Sequence, residues 1–282
     1  MKRRNSRPTD VYADLHTHTT RSDGQLSPEE LVAQAAERGI QVLSVTDHDT
    51  VGGIQPAATA AEEKGLHLVP GTELSVTLDE QEIHLLAYGF DPAHTGLQEH
   101  LAAMQEARRA RARTIVERLR EQGVEVGDDQ LRADISTAHA VGRPHVAAAL
   151  VRAGQVDSER AAFEQYLEEG KPGFVAKPAF SASDALDLIH EADGVGVLAH
   201  PGHWMSGRQV RQLVDVGLDG LETKHPSHDT SLRSYYERLA QAHDLVTTGG
   251  SDYHGRTDSE KTHFGTVGMS QAEWERFREV LA

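Results

Sequence analysis

Clusters of histidine and acidic residues recur along the chain, and each cluster follows a short run of β-forming apolar residues. The clusters lie at positions 14–18, 46–49, 71–73, 83–84, 199–202 and 251–254. In barrels built from alternating strands and helices, the carboxyl ends of the strands form one face, which carries the functional residues. The pattern therefore predicts a single pocket in which imidazoles and carboxylates bind two or three metal ions.

The composition is that of a globular protein with one large domain, or one domain that carries an insertion. Hydrophobic residues make up 38% of the 282 positions and charged residues 26%. No apolar run approaches the roughly 20 residues that cross a bilayer, so we expect no membrane partner. Residues 1–10 are basic without an apolar segment behind them, which predicts a flexible solvated tail rather than a secretory signal. The chain has no cysteine, so any metal ligands are N and O atoms, and a cytoplasmic location is expected.

The formal net charge of −16 argues against general binding to nucleic-acid backbones, because such binding releases counterions from a basic surface. An anionic substrate remains compatible with this charge, since divalent cations in one cleft reverse the local potential. We predict no stable protein partner.

The periodicity of apolar residues predicts strands that alternate with helices. Strands are expected at 11–15, 42–45, 66–69, 82–88, 194–198, 220–223, 245–248 and 265–268. Helices are expected at 28–39, 54–64, 96–121, 145–152, 159–167, 207–216, 232–243 and from 271 onward. The first helix has a clear start, because Ser27, Pro28 and Glu30 form a capping box with proline at the first helical position.

Alternation of helices with buried, parallel-type strands predicts an α/β barrel. Residues 11–90 and 176–282 form the barrel in this interpretation, and the ligand clusters fall at the ends of its strands. Only helical periodicity is found between them, so residues 91–175 are predicted to be a helical insertion that caps the barrel.

The spacing within the clusters suits metal binding. His16 and His18 are two apart on a strand, so both imidazoles project to one face. Asp47 or Asp49 can orient the imidazole of His48 through its second ring nitrogen. The alternative, a barrel of buried structural histidines, is disfavoured because so many unpaired polar groups would be costly to bury.

The clusters together resemble the PHP (polymerase and histidinol phosphatase) family of metal-dependent phosphoesterases. The resemblance rests on His16-x-His18, Asp23, Thr46-Asp47-His48-Asp49, Glu73, His84, Ala199-His200-Pro201-Gly202 and Ser251-Asp252-x-His254. The segments Gly142-Arg143-Pro144-His145 and His225-Pro226-Ser227-His228 resemble the branch of nucleoside 3′,5′-bisphosphate phosphatases and 5′-to-3′ exoribonucleases. This resemblance implies a distorted, seven-stranded, TIM-like barrel.

The resemblance also implies three ion positions. The first would use His16, His18, Glu73 and Asp252; the second Asp23, His48 and His254; the third Glu73 as a bridge with His84 and His200. Of these, the residues expected to act in catalysis are Asp23, His48, Glu73, Asp252 and His254. The family more often has histidine where this chain has Asp23, which favours a harder ion. Two or three divalent ions are expected, Mn²⁺ first, with Mg²⁺, Zn²⁺ or Fe²⁺ as alternatives.

Five further residues are predicted to contact the substrate phosphate. Arg143, His145 and Lys171 lie in the insertion, whereas His225 and His228 follow a barrel strand. Arginine in particular can clamp a phosphate with two parallel hydrogen bonds. The arginine-rich stretch at 108–120 is either the wet face of its helix or a track for an oligonucleotide backbone.

The sequence thus predicts a metal-dependent phosphoesterase that attacks phosphate esters with activated water. Its expected substrates are nucleoside 3′,5′-bisphosphates or short 5′-phosphorylated RNA. Two alternatives stay open: a phosphatase for a small metabolite such as histidinol phosphate, and a metal-binding regulatory barrel without catalytic activity.

Overall fold

The centre of the protein is one seven-stranded sheet whose strands follow one another in chain order. The computed structural model describes residues 11–126, 129–137 and 140–281, so the predicted tail at 1–10 lies outside the described residues. The strands are β1 (Ala13–Asp14), β2 (Val42–Val45), β3 (His67–Leu78), β4 (Gln81–Tyr88), β5 (Val195–Leu198), β6 (Gly220–Lys224) and β7 (Val246–Gly249). The chain after β7 returns to β1, where the Asp252 N–H donates to the His16 carbonyl at 2.9 Å. The sheet is therefore a nearly closed barrel, which confirms the predicted α/β barrel fold.

Helices pack around the barrel, and the first of them begins where the sequence predicts its cap. They are α1 (Pro28–Glu37), α2 (Ile54–Lys64), α3 (Thr95–Glu121), α4 (Asp129–Thr137), α5 (Arg143–Arg152), α6 (Glu159–Ala162), α7 (Ala182–Glu191), α8 (Gly207–Asp215), α9 (Thr230–Ala242), α10 (Asp258–His263) and α11 (Gln271–Arg278). At α1 the Ser27 hydroxyl accepts from the Glu30 N–H at 3.2 Å, and the Glu30 carboxylate accepts from the Ser27 N–H at 2.8 Å. The predicted capping box is therefore confirmed.

Strands β3 and β4 depart from the expected parallel pattern. β4 runs antiparallel to both β3 and β5, and β3 continues far beyond the predicted end at residue 69. The two strands are joined by a tight turn at Asp79 and Glu80, which have φ values of 49° and 66°. Two successive positive φ values are typical of the hairpin turn that matches strand twist. The hairpin makes this side of the barrel taller than the short flanking strands.

The predicted strand at 265–268 was wrong, and three helices were not predicted. Residues 265–268 form no strand; isolated bridges join Val267 with Phe264 and the next residue, Met269, with Ala13. The glycines at 265 and 268 have φ values of 77° and 154°, which interrupt an extended conformation. Helices α4, α7 and α10 were not predicted, because their windows are short or rich in small and polar residues.

Helices α3 to α6 share a hydrophobic cluster that contains no barrel strand. Its members include Ile115, Leu119, Leu131, Val146 and Leu150. After α6 the helix continues into a π-helical turn, Phe163–Leu167. A separate cluster is what a distinct insertion needs, and the division into a barrel and a 91–175 cap stays a prediction.

The inside of the barrel is apolar at one end and polar at the other. At the apolar end, Leu86 and Tyr88 belong to one hydrophobic cluster with Trp274 and Phe277 of α11. Helix α11 closes this end of the barrel. Ala87, between them in sequence, faces the hydrophobic cluster on the outside of the barrel, beneath α7 to α9. Glu73 pairs with Leu86 across β3 and β4, so its carboxylate also points inward. None of the described helices is both long and apolar enough to cross a membrane.

Candidate metal centre

The open, polar end of the barrel collects the predicted ligands from six segments of the chain. His16 and His18 follow β1, His48 follows β2, His200 follows β5, and Asp252 with His254 follows β7. Glu73 and His84 differ from the prediction, because they lie within β3 and β4 rather than at strand ends. They still reach the site because the hairpin extends past the short strands and carries both side chains on its inner face.

The carboxylate of Glu73 lies at the centre of the site, where it is 1% exposed. Its Oε1 is 2.8 Å from His84 Nδ1 and 3.0 Å from His200 Nε2. Its Oε2 is 3.3, 3.2 and 3.1 Å from ring nitrogens of three further histidines, His16, His18 and His48 respectively. One carboxylate is therefore shared by five imidazoles, which is the arrangement expected of a bridging ligand.

Two other carboxylates complete the donor set. Asp252 Oδ1 lies 3.4 Å from His16 Nε2 and 3.2 Å from His18 Nε2. Asp23 Oδ1 lies 3.3 Å from His254 Nε2 and 4.0 Å from His48 Nε2. The groups whose donor atoms lie close enough to share an ion are His18, Asp23, His48 and His254; His16, His18 and Asp252; His16, Glu73 and His200; and His48, Glu73 and His84.

Unpaired ring nitrogens support metal binding at these groups. Among the described residues, both ring nitrogens of His18 and the Nδ1 atoms of His48 and His84 are buried without a hydrogen-bond partner. Buried donors and acceptors are normally paired. Two atoms each about 2.0–2.2 Å from one ion lie about 3–4 Å apart, as the nitrogen–oxygen pairs here do. The residues therefore fit divalent cations, and their N and O donors suit Mn²⁺, Zn²⁺ or Fe²⁺.

The electrostatics of the centre are those of a site that attracts cations. Burial by itself lowers the pKa of His18, but the nearby carboxylates of Asp252 and Glu73 outweigh it and raise the pKa to about 10. Burial by itself raises the pKa of Glu73, yet the imidazoles of His48, His84 and His16 hold it well below its usual range. The carboxylates are thus ionised, and binding of a divalent ion would displace protons from the histidines.

Glu222 is a buried carboxylate of the site that the sequence did not indicate. It lies on β6 and is 0% exposed. Its Oε1 is 3.0 Å from His16 Nδ1, and its Oε2 accepts from the His200 N–H at 2.8 Å. A carboxylate on the far ring nitrogen fixes the orientation of an imidazole and makes it a better ligand. The one signal in the sequence is an acidic residue next to Leu221 in an otherwise buried strand.

The two aspartates beside His48 have other roles than the predicted one. The Asp47 carboxylate accepts hydrogen bonds from the Thr19 N–H, at 2.7 Å, and from the Ser22 hydroxyl, at 2.6 Å. It therefore holds the loop that carries Asp23. Asp49 points away from the centre, forms an ion pair with Arg108 and accepts from the Ser75 N–H at 2.8 Å. Neither carboxylate has a hydrogen bond to the His48 ring among the described contacts.

Comparison with known families agrees with this geometry. The sequence profile of the PHP domain matches residues 14–169, more than half of the chain. The chain belongs to the PHP family. The resemblance seen in the sequence motifs is therefore confirmed.

Relatives in this family cover most of the chain. The 5′-3′ exoribonuclease Rnm of Salmonella typhimurium is 36% identical over 252 residues, which are 86% of this chain and 85% of that protein. The 3′,5′-nucleoside bisphosphate phosphatase of Chromobacterium violaceum is 35% identical over 246 residues, with 86% of each chain covered. The crystal structure of a predicted metal-dependent phosphoesterase from Bifidobacterium adolescentis has a TM-score of 0.87 and 32% identity, covering 97% of this chain and 96% of the other.

Two of the five predicted phosphate contacts of this PHP protein, Arg143 and His145, lie on helix α5. Arg143 borders the metal centre: it lines a cavity of about 140 Å³ together with Asp23, His48 and His84. His145 lies on the other side of α5, in a cavity of about 320 Å³ that Asp23 and Arg256 also line. Lys171 is exposed in the described structure and lines neither cavity.

The two predicted contacts after β6 are both tied to protein groups. His225 Nε2 is 3.2 Å from Asp252 Oδ2, and its Nδ1 is 2.8 Å from the Ser227 hydroxyl. His228 is 2% exposed. Its Nδ1 donates to the Thr223 carbonyl at 3.0 Å, which leaves Nε2 to accept from the Gly202 N–H at 3.1 Å. His228 thus has no ring nitrogen free for a phosphate in this conformation.

Two arginines of α3 and one lysine add positive charge beside the centre. Arg108 and Arg111, three apart on the helix, are only 7% and 6% exposed. Both line the small cavity with Arg143 and Lys177, and the Lys177 amine is 2.7 Å from Glu82. The remaining arginines of the stretch, which are Arg109, Arg113, Arg118 and Arg120, do not line that cavity. The arginine-rich helix therefore has one face in the site and another toward solvent.

Proposed function

We propose that this PHP protein hydrolyses phosphate esters of nucleotides, with nucleoside 3′,5′-bisphosphates or short 5′-phosphorylated RNA as substrates. The enzyme class, a metal-dependent phosphoesterase, is confirmed by the family and by the relatives above. The observation that carries the substrate proposal is a cluster of cationic side chains directly beside the metal ligands. Such a cluster is what recognition of a phosphate ester requires.

Three groups of residues are proposed to hold the ions. His16, His18 and Asp252 form the first group, with Glu73 at its border; Asp23, His48 and His254 form the second together with His18. Glu73 joins the third group, which contains His84 and His200. When bound, divalent ions, Mn²⁺ by this proposal, supply an activated water and neutralise charge on the phosphoryl oxygens.

The chain's own residues position the substrate and the ligands. Arg143, Arg111 and Lys177 face the cavity beside His84 and would draw the phosphate toward the centre. Arg143 keeps most of its donors for this task, since the nearest carboxylate oxygen, in Glu82, is 3.9 Å from its guanidinium. His225 holds Asp252 in place, and Glu222 holds His16. We leave His228 and Lys171 out of the proposed phosphate contacts.

The two alternatives make different demands on the site. A phosphatase for a small metabolite such as histidinol phosphate needs the same centre but no preference for nucleotides. A regulatory barrel without activity needs no complete donor set. The intact set around Glu73, together with the cations beside it, favours catalysis.

Phosphate release with Mn²⁺ tests the proposal. The substrates are adenosine 3′,5′-bisphosphate, a 5′-phosphorylated oligoribonucleotide and histidinol phosphate. Asp252→Ala removes a ligand from the first group and should abolish activity and reduce the amount of bound Mn²⁺. Asp258→Ala is the matched control, because that carboxylate lies on α10, is fully exposed and, among the described residues, pairs with Lys261 alone, at 3.4 Å.

Each outcome separates the candidates. Release from either nucleotide substrate that disappears in Asp252→Ala and persists in Asp258→Ala supports the proposal. Release from histidinol phosphate alone would replace it with the metabolite phosphatase. Absence of release from all three by Mn²⁺-loaded protein would leave the regulatory barrel.

A further inference from the structure

Trp204 is a large aromatic residue that the fold leaves exposed next to the metal centre. Its side chain is 45% exposed, the highest value among the large hydrophobic residues that the structure describes. It lies four residues after His200, in the turn between β5 and α8. An exposed tryptophan is uncommon enough to need an explanation, since burial of its large apolar ring is favourable.

The turn that carries Trp204 is held firmly. Gly202 has a φ of 57°, and a Cβ at this position would lie 2.9 Å from the Trp204 ring nitrogen. The indole therefore rests against the Gly202 backbone, where only glycine leaves room for it. The Gly202 carbonyl accepts from the Tyr236 hydroxyl at 2.6 Å, and its N–H donates to His228 at 3.1 Å. His228, which is buried and has both ring nitrogens hydrogen-bonded, thus positions this turn.

The cavity beside Trp204 has the size of a nucleotide site and places cationic and aromatic side chains next to the metal ligands. It measures about 540 Å³, within the range of roughly 300–1,000 Å³ that is typical of small-molecule sites. Its wall includes two proposed metal ligands, His84 and His200, and beside them the cationic side chains of Arg111, Arg143 and Lys177. The rest of the wall also carries carboxylates, those of Glu80, Glu82, Glu168 and Glu169. Trp204 and Phe174 are the aromatic residues of the same wall.

We propose that Trp204 is the stacking platform for the nucleobase of the substrate. The phosphate would lie among the cations and histidines of the cavity, while the base would lie on the face of the indole that does not contact Gly202. Aromatic stacking accepts any base, because every base has a π face. The platform would therefore select nucleotides over other phosphate esters without selecting one base. This inference rests on the proposed function and adds the residue that recognises the base.

Tryptophan fluorescence tests the platform without relying on hydrolysis. The chain has two tryptophans, and Trp274 is 3% exposed within the closed end of the barrel. Adenosine 5′-monophosphate added to the Mn²⁺-loaded protein should quench the emission of Trp204, whereas ribose 5-phosphate should not. In Trp204→Phe the nucleotide-dependent quenching should be lost. Equal quenching by both ligands, or none by the nucleotide, would overturn the proposal.

Kinetics provide the second measurement. Trp204→Ala should lower the ratio of kcat/KM for adenosine 3′,5′-bisphosphate to that for ribose 5-phosphate by about tenfold, mainly through KM of the nucleotide. Trp204→Phe should retain most of the ratio. Tyr235→Ala is the matched control, because Tyr235 is also an exposed aromatic, at 36%, but does not line the cavity.

The two proposals fail in different ways. If the wild-type protein hydrolyses no nucleotide, the proposed function fails, while quenching by adenosine 5′-monophosphate would still report a base platform. If nucleotides are hydrolysed and the ratio in Trp204→Ala equals that of the wild type, the platform alone is wrong. A ratio that falls equally in Tyr235→Ala would also contradict a specific role for Trp204.

Discussion

Arg108 and Arg113 lie one and a half turns apart on α3 and have opposite surroundings. The Arg108 Nε donates to Asp49 Oδ2 at 2.7 Å, and its terminal nitrogen donates to the Ser75 hydroxyl at 3.0 Å. Asp49 is completely buried. Burial by itself raises the pKa of its carboxyl, but the positive charge of Arg108 outweighs burial and lowers the pKa. Arg113 instead makes a 3.4 Å contact with Glu106 at the surface, where the two side chains are 51% and 61% exposed.

Arg108→Ala should therefore destabilise the protein by about 3–5 kcal/mol, because it leaves a buried carboxylate without its partner. Arg113→Ala should change the free energy of unfolding by less than about 1 kcal/mol. Urea unfolding of both variants beside the wild type measures the difference. If the free energy of unfolding falls by similar amounts in the two variants, the ion pair of Arg108 with Asp49 does not fasten α3 to the barrel.

Single residues were predictable where their chemistry is local. The His16 and His18 pair indicates metal binding by itself, since two imidazoles two apart on a strand share a face. Glu222 gave no such sign: its partners are His16, which is 206 positions away along the chain, and the His200 backbone. The same holds for Trp204, whose exposure and cavity exist only after β5, α8 and the β3–β4 hairpin come together.

Helix α11 closes the apolar end of the barrel and is tied to β6 by one ion pair. The Glu273 carboxylate accepts from Lys224 at 2.7 Å and from the Ser270 N–H at 2.7 Å. Burial by itself raises the pKa of Glu273, but these hydrogen bonds outweigh it and lower the pKa below its usual range. The pKa of Glu273 is thus lower in the folded than in the unfolded protein. The stability that its ionised carboxylate contributes is therefore complete above the unfolded pKa and is lost as the pH falls through the folded pKa.

We therefore expect Glu273→Gln to lower the free energy of unfolding by about 1–2 kcal/mol at pH 7. The difference from the wild type should shrink once the pH falls below about 4.3, the unfolded pKa of a glutamate. Urea unfolding at a series of pH values measures both effects. Glu275→Gln is the control and should show little difference at any pH, because this exposed carboxylate accepts a hydrogen bond from Gln271 of the same helix. A Glu273→Gln effect that stays constant down to pH 3 would contradict the assigned cause.

The elements that were predicted best are those with strong local signals. The range of α2 matches the prediction, and α1 begins at its predicted cap and ends two residues before the predicted limit. The length and direction of β3 and β4 were not predictable in this way. An antiparallel hairpin and a parallel strand have similar composition when both are half buried, and the choice depends on their neighbours.

The metal ions should also stabilise the whole molecule. The ligands of the centre come from β3, β4 and the segments after β1, β2, β5 and β7, so a bound ion joins distant parts of the barrel. At a free Mn²⁺ concentration 100 times Kd, linkage predicts about 2.7 kcal/mol of added stability, or a rise in Tm of about 5–10 °C. Differential scanning fluorimetry across a Mn²⁺ titration measures this rise.

Two variants make that measurement specific. Asp252→Ala should show a smaller rise in Tm than the wild type, because one ligand group is incomplete. Asp258→Ala should behave as the wild type does. An equal rise in all three proteins would mean that Mn²⁺ acts elsewhere on this acidic chain.

The sequence by itself determined the α/β barrel, the PHP family and the nine side chains that converge at its open end. It could do so because strand and helix periods are local, and because histidine and acidic residues after successive strands have few alternative uses. The tertiary structure decided which groups these residues form, that Glu73 joins five imidazoles, that Glu222 holds His16, and that Arg108, Arg111 and Trp204 line cavities beside the ligands. Those features depend on distances between segments that are far apart in the chain, and no local pattern encodes them.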